Sequence, residues 1–135
     1  MIYRAVEEVG TAPRRLRILV VDDSVDTAQS LTYLLRDDGH ITEYAINGMA
    51  ALDLAKRTRP ELIFLDIGLP DYDGLKLARD IKKTPGLERT HIVAITGRIS
   101  DDEQRALEAG CDLFLSKPLD FRTYEKTIRE VTGRL

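Results

Sequence analysis

Five short apolar runs recur along the chain, at residues 16–21, 41–46, 62–65, 92–95 and 113–115, with stretches of helical spacing between them. Four of these runs are nearly continuous in Val, Ile, Leu and Phe, which is how a strand reads when both of its faces are covered. The second differs, because Ile41, Glu43 and Ala45 alternate with Thr42, Tyr44 and Ile46. That mixed pattern predicts an edge strand. The intervening segments carry helix start and stop signals. Ser24 can cap a helix with Ala28, Leu31, Leu34 and Leu35 on one face, closed by Gly39. Asn47 can cap a second, with Ala51, Leu54 and Ala55 inward and Pro60 beyond its end. A third starts near Gly74, turns Leu77, Ala78 and Ile81 inward, and stops before Pro85-Gly86. Ser100-Asp101-Asp102-Glu103 forms a capping box for the fourth, which Gly110 closes. The last follows Asp120, with Phe121, Tyr124, Ile128 and Val131 inward.

Strand and helix therefore alternate five times, which predicts an α/β fold with a parallel sheet and helices on both faces. No internal repeat or low-complexity tract interrupts the pattern. Residues 1–14 stand outside it. Ile2, Ala5, Val6 and Val9 could form an apolar stripe, but Gly10-Thr11-Ala12-Pro13 breaks it. A loose tail is expected there, with a short docking helix as the alternative, followed by one domain over residues 15–135.

Composition adds mainly exclusions. The 135 residues fit one domain, and 43% hydrophobic with 32% charged residues is an ordinary soluble balance. A net charge of −3, few aromatics and no Trp give no nucleic-acid or anionic-membrane surface. No apolar run approaches the ~20 residues of a membrane span, and the N-terminus lacks a signal-peptide core. Cys111 is the only cysteine, so no internal disulfide is possible and a small buried hydrophobe is the simplest reading. A cytoplasmic location is expected.

The chemistry is expected beyond the carboxyl ends of the strands, where open parallel sheets bind ligands. Asp22-Asp23 follows the first strand, Asp66 the third, Thr96-Gly97 the fourth, and Ser116-Lys117-Pro118 the fifth. If the first and third strands are neighbours, three carboxylates converge, and their repulsion calls for a cation. All-oxygen ligands without His or Cys favour Mg²⁺ over zinc. A carboxylate is a competent phosphoryl acceptor, and Asp66 lies at the centre of the cluster. The Lys117 ammonium and the Thr96 hydroxyl can answer the charge of a phosphoryl group there.

Taken together, Val20-Val21-Asp22-Asp23, Leu65-Asp66-Ile67-Gly68-Leu69-Pro70 with Asp73-Gly74, Ala94-Ile95-Thr96-Gly97 and Ala109-Gly110 leading to Lys117-Pro118 resemble bacterial response-regulator receiver domains, the CheY-like family. The likeness runs from about Arg15 to the C-terminus. It implies a doubly wound, five-stranded parallel sheet in order 2-1-3-4-5, a flavodoxin-like three-layer sandwich. It also implies phosphorylation of Asp66 by a sensor histidine kinase or a histidine phosphotransfer protein. Asp23 would bind Mg²⁺ directly, Asp22 through water, and Asp66 and the Gly68 carbonyl would complete the protein's share. Lys117 would bind the phosphoryl group through a chain whose bond to Pro118 is cis. Thr96 and the aromatic Phe114 would form the switch.

Some positions depart from the commoner pattern. Gly68 offers no side chain and Arg98 a long cationic one, at positions where relatives tune phosphoryl lifetime. Phe114 replaces the commoner Tyr. Leu113 stands where winged-helix regulators usually carry an acidic residue for dimerisation. Residues 100–130, with Arg105, Leu113, Phe114 and Tyr124, are expected to form the face that meets a downstream protein or a second copy. No output domain is expected within this sequence, which leaves a stand-alone regulator or a receiver from a hybrid kinase. A Mg²⁺-dependent aspartyl phosphatase is the rival enzyme reading, but its Asp-x-Asp after the first strand is missing. A nucleotide switch lacks its Gly-x-x-x-x-Gly-Lys loop. A receiver-like binding module with a dead site is the third rival.

Overall fold

A computed structural model describes residues 15–97 and 102–133. The expectations for residues 1–14, for Arg98 and for the start of the capping box at Ser100 and Asp101 lie outside the described residues.

The strands are β1 (Arg17–Val21), β2 (Ile41–Ala45), β3 (Leu62–Asp66), β4 (His91–Thr96) and β5 (Leu113–Ser116). They alternate with α1 (Val25–Asp37), α2 (Gly48–Thr58), α3 (Gly74–Lys83), α4 (Asp102–Glu108) and α5 (Phe121–Thr132). All four strand pairings are parallel, and the order is β2-β1-β3-β4-β5. Strand order reverses between β1 and β3, so a crevice opens at their carboxyl ends.

Two apolar layers flank the sheet. Leu19, Val21, Ile63, Leu65, Ile92 and Ala94 meet α2, α3 and α4 on one face. Ile18, Val20, Leu62, Phe64, Val93 and Ile95 meet α1 and α5 on the other. The alternation of these residues along each strand explains why β3 is buried throughout. On β2 only Thr42 and Ala45 are buried, as suits an edge. Arg36 Nε donates to the Thr42 carbonyl at 2.9 Å, and Arg36 pairs with Glu43 at 3.6 Å. Charged groups therefore blunt the open edge.

Ser24 and Asn47 cap as the sequence places them, the last helix follows Asp120, and Asp73 proves to be the cap of α3; all four side chains accept backbone N–H groups at their helix starts. Two expectations need correction. Ile46, the end of the second apolar run, lies past the end of β2 and is exposed. Leu34 is 45% exposed, while Thr32 is buried in its stead. Leu34 lines a groove of about 330 Å³ with Leu31, Leu119, Phe121 and Tyr124, where α1 and α5 leave a gap.

Cys111 is buried beside Asp112, and that burial pushes its thiol from 9.0 up to about 11. A thiol this protonated is no nucleophile at neutral pH. The unfolded chain releases the proton first, so stability present below pH 9 is lost as pH rises towards about 11. The loss should be of the order of 2–3 kcal/mol. Tyr124, also raised by burial, adds a step of the same sign. Urea unfolding of Cys111→Ala against wild type across this window isolates the thiol, and the variant should show the shallower decline.

Candidate phosphoacceptor site

The crevice is built from strand ends. Asp22 follows β1, Asp66 is the last residue of β3, Thr96 the last of β4, and Lys117 follows β5. Because β1 and β3 are hydrogen-bonded neighbours, their terminal carboxylates meet. One ligand oxygen from each of Asp22, Asp23 and Asp66 lies within 4.8 Å of the others. Asp22 and Asp66 are buried, whereas Asp23 is exposed.

Each buried carboxylate is oriented by the chain around it. Asp66 Oδ1 accepts from the Gly68 N–H at 2.9 Å, and Asp66 Oδ2 accepts from Lys117 Nζ at 2.9 Å. Asp22 Oδ1 accepts from the Ser24 N–H at 2.9 Å, and its Oδ2 lies 3.4 Å from the same ammonium. The Lys117 N–H donates to the Thr96 carbonyl at 2.7 Å, which aims the lysine over the crevice. The Lys117–Pro118 peptide bond is cis.

The electrostatics are those of an overcrowded acidic site. Burial raises the Asp22 carboxyl above its ordinary value, and the charge on Asp66 adds to the rise, against the Ser24 N–H and Lys117. Burial works to lower the Lys117 ammonium, but its bonds to Asp66 and Asp22 outweigh that and hold it above its ordinary value. Among the described residues one ammonium pairs with two of the three carboxylates, which leaves negative charge to be answered. The donor set is all oxygen, which fits a hard divalent cation.

Thr96 is buried at the end of β4. The register pairs Ala94 with Phe114 and Thr96 with Ser116. Residues two apart share a face, so Thr96 and Phe114 lie on the same side of the sheet, the side that packs against α2 to α4. Phe114 is half-buried there. Thr96 and Gly68 line a groove of about 490 Å³ that also includes Arg105. Tyr124 does not join this face. It is buried on the opposite one, edge-on to Phe64 with ring centres 5.1 Å apart and planes at 84°. Of the expected interaction face, Tyr124 and Leu113 thus pack on the α1–α5 side of the sheet and Phe114 on the other.

Sequence reading missed the residues that hold the loop after Asp66. Gly74 abuts that loop so closely that a Cβ would lie 2.4 Å from Ile67 Cα. Asp71 and Tyr72 contact α2, at 23 residues' separation in the case of Asp71 and Gly48. Only the Gly at the first turn of α2 hinted at a close approach.

The comparisons agree with this geometry. The family model for the response regulator receiver domain matches residues 18–129. The polar-differentiation response regulator DivK of Brucella anthropi is 32% identical over 117 residues, covering 86% of this chain and 95% of DivK. Chemotaxis response regulator CheY4 of Vibrio cholerae superposes with a TM-score of 0.81 at 28% identity, over 87% of this chain and 99% of that one. The receiver domain of a signal transduction histidine kinase from Syntrophus aciditrophicus gives 0.80 at 31% identity, over 89% and 92%. Among the described residues no helix is long and apolar enough to cross a membrane. With its doubly wound sheet, its acidic crevice and these relatives, the chain belongs to the response regulator receiver domain family.

Proposed function

We propose that Asp66 accepts a phosphoryl group from the phosphohistidine of a sensor kinase or phosphotransfer protein, in a Mg²⁺-dependent reaction. The observation that carries this reading is the meeting of three carboxylates and the Lys117 ammonium at the switch point of the sheet. A regulatory domain of this kind turns over no substrate of its own beyond slow loss of its phosphoryl group.

The residues divide the work. One Asp66 oxygen attacks phosphorus, the bond from phosphorus to the donor nitrogen breaks, and an acyl phosphate forms. Lys117 holds Asp66 in place beforehand and pairs with the arriving phosphoryl oxygens. Asp22, Asp23, Asp66 and the Gly68 carbonyl would hold Mg²⁺, which supplies charge neutralisation for the transferred group. The Thr96 hydroxyl donates to the phosphoryl group, and Phe114 turns further inward as Thr96 moves. Both side chains project from one face of adjacent strands, so the coupling needs no long path. It is a population shift between two Phe114 rotamers. The face so changed comprises α4 and the Phe114 side of β5, with Arg105 and Phe114, and a downstream protein or a second copy binds there.

The donor needs a surface beside the crevice. Thr27, Leu119 and Tyr124 line two adjoining hollows, one of which reaches Lys117 and Pro118. A helix bearing the phosphohistidine fits that apolar margin.

Asp23→Ala should weaken Mg²⁺ binding more than Asp22→Ala. Asp23 is exposed to an entering ion, whereas Asp22 is occupied by Ser24 and Lys117 and acts mainly through its field. Calorimetric titration measures both, and equal losses would count against these roles. Incubation with acetyl phosphate and Mg²⁺ tests the function itself. One labile phosphoryl group per chain is expected. Continuous release of phosphate at many turnovers would mark a phosphatase, and no uptake a binding module.

A further inference from the structure

The seven residues 67–73 between β3 and α3 begin at the phosphoacceptor. Their first turn is held by the Ile67 N–H on the Ile95 carbonyl at 3.0 Å and by the Gly68 N–H on Asp66. Their last residue, Asp73, caps α3. The middle is tied elsewhere. Asp71 Oδ1 accepts from the Gly48 N–H at 2.9 Å, and its Oδ2 accepts from the Met49 N–H at 3.3 Å. Both donors are the first residues of α2, a position that favours an anion.

That helix does not need Asp71 in order to start. Asn47 already caps it, accepting the Ala50 N–H at 2.8 Å. What Asp71 adds is a long-range link from the acceptor loop to α2. Tyr72 continues the link. Its ring lies so flush on Gly48 that a Cβ there would come within 2.3 Å of Tyr72 Cβ. Its hydroxyl donates to Asp80 on α3, which also accepts from Lys76 Nζ at 3.0 Å. Asp71 and Tyr72 thus bolt the loop between two helices.

We infer that Asp71 is a positioning residue for phosphoryl transfer: by gripping the start of α2 it holds residues 67–73, and with them the Gly68 backbone, against Asp66. The inference rests on the reading of Asp66 as phosphoacceptor. Gly68 touches that residue directly, and its carbonyl is the proposed backbone ligand for Mg²⁺. A slackened loop therefore misplaces both.

The test compares Asp71→Ala, Asp71→Asn and Asn47→Ala in the full chain. Asp71→Ala and Asn47→Ala each remove one side-chain acceptor from the same helix end, so both should lower the melting temperature. Only Asp71→Ala should shift the Ile67 and Gly68 amide resonances of the Mg²⁺-free protein. Only Asp71→Ala should weaken Mg²⁺ binding and slow phosphoryl uptake from acetyl phosphate, by about tenfold. Asp71→Asn keeps one acceptor oxygen and should recover most of both. Should Asp71→Ala prove too unstable, Tyr72→Phe removes only the bond to Asp80 while leaving the carboxylate intact, and should move the same amides in the same direction. Asp71→Ala with wild-type amides and wild-type uptake overturns the inference. A wild-type chain that takes no phosphoryl group instead overturns the reading of Asp66, and the amide comparison still decides whether the tether holds the loop.

Discussion

Asp66→Asn is expected to fold and to take up no phosphoryl group. Asparagine has nearly the same shape, and its Oδ1 can still accept the Gly68 N–H that Asp66 accepts at 2.9 Å. It lacks the anionic oxygen that attacks phosphorus, so the chemistry stops. Stability should change little, for two opposing reasons. Lys117 loses its 2.9 Å partner but keeps Asp22 at 3.4 Å. Asp22 in turn is relieved of the Asp66 charge, which contributes to its raised carboxyl. Removing one of several crowded like charges offsets the lost pairing. Mg²⁺ affinity should fall in the same variant, because one of the three carboxylates has gone. Label uptake from a phosphodonor and a thermal melt check both halves, and uptake at the wild-type level would move the acceptor elsewhere.

Gly74→Ala should be among the costliest single methyl additions at this chain's described glycines. The new Cβ would lie 2.4 Å from Ile67 Cα and 2.7 Å from the Ile67 carbonyl oxygen. Both are backbone atoms, and they cannot swing aside as the end of a side chain can. Either α3 or the acceptor loop must move, and the loop begins one residue after Asp66. Overpacking of this kind costs ~1–3 kcal/mol or more, which corresponds to a drop of roughly 5–15 °C in melting temperature. Gly97→Ala is the control, since among the described residues no atom beyond its chain neighbours lies within 4 Å of its added Cβ. A melt of Gly74→Ala as high as that of Gly97→Ala would contradict the close approach.

Local pattern carried most of the fold because the buried strands announce themselves. Residues 62–66 are all buried, and an unbroken apolar run is what such a strand requires. The caps Ser24, Asn47, Asp73 and Asp120 are equally local, each serving an N–H two or three residues away. The acidic crevice was legible for a related reason. A residue following a strand in a parallel sheet lies at its carboxyl end, so Asp22, Asp66, Thr96 and Lys117 could be placed on one edge of the sheet, and the strand order implied by the family resemblance brought them together.

What local pattern could not reach was the relation of one helix to another. Leu34 fits the apolar stripe of α1, but α1 and α5 diverge enough to leave it in a groove. Tyr124 was legible as an inward residue of the last helix, but its edge-on partner Phe64, 60 residues away in the chain, was not. The tether of Asp71 to Gly48 has the same character, since neither residue's neighbourhood in sequence points to the other. Contacts of this kind follow from the packing of elements, not from the elements themselves.

The most direct measurement is the location of the phosphoryl group. The chain is treated with acetyl phosphate, trapped with borohydride, which reduces an acyl phosphate to the alcohol, and mapped by mass spectrometry of its peptides. The modification should fall on Asp66 alone, and it should vanish when Mg²⁺ is chelated. Modification at another residue, or at Asp66 with equal yield in the absence of Mg²⁺, would contradict the account.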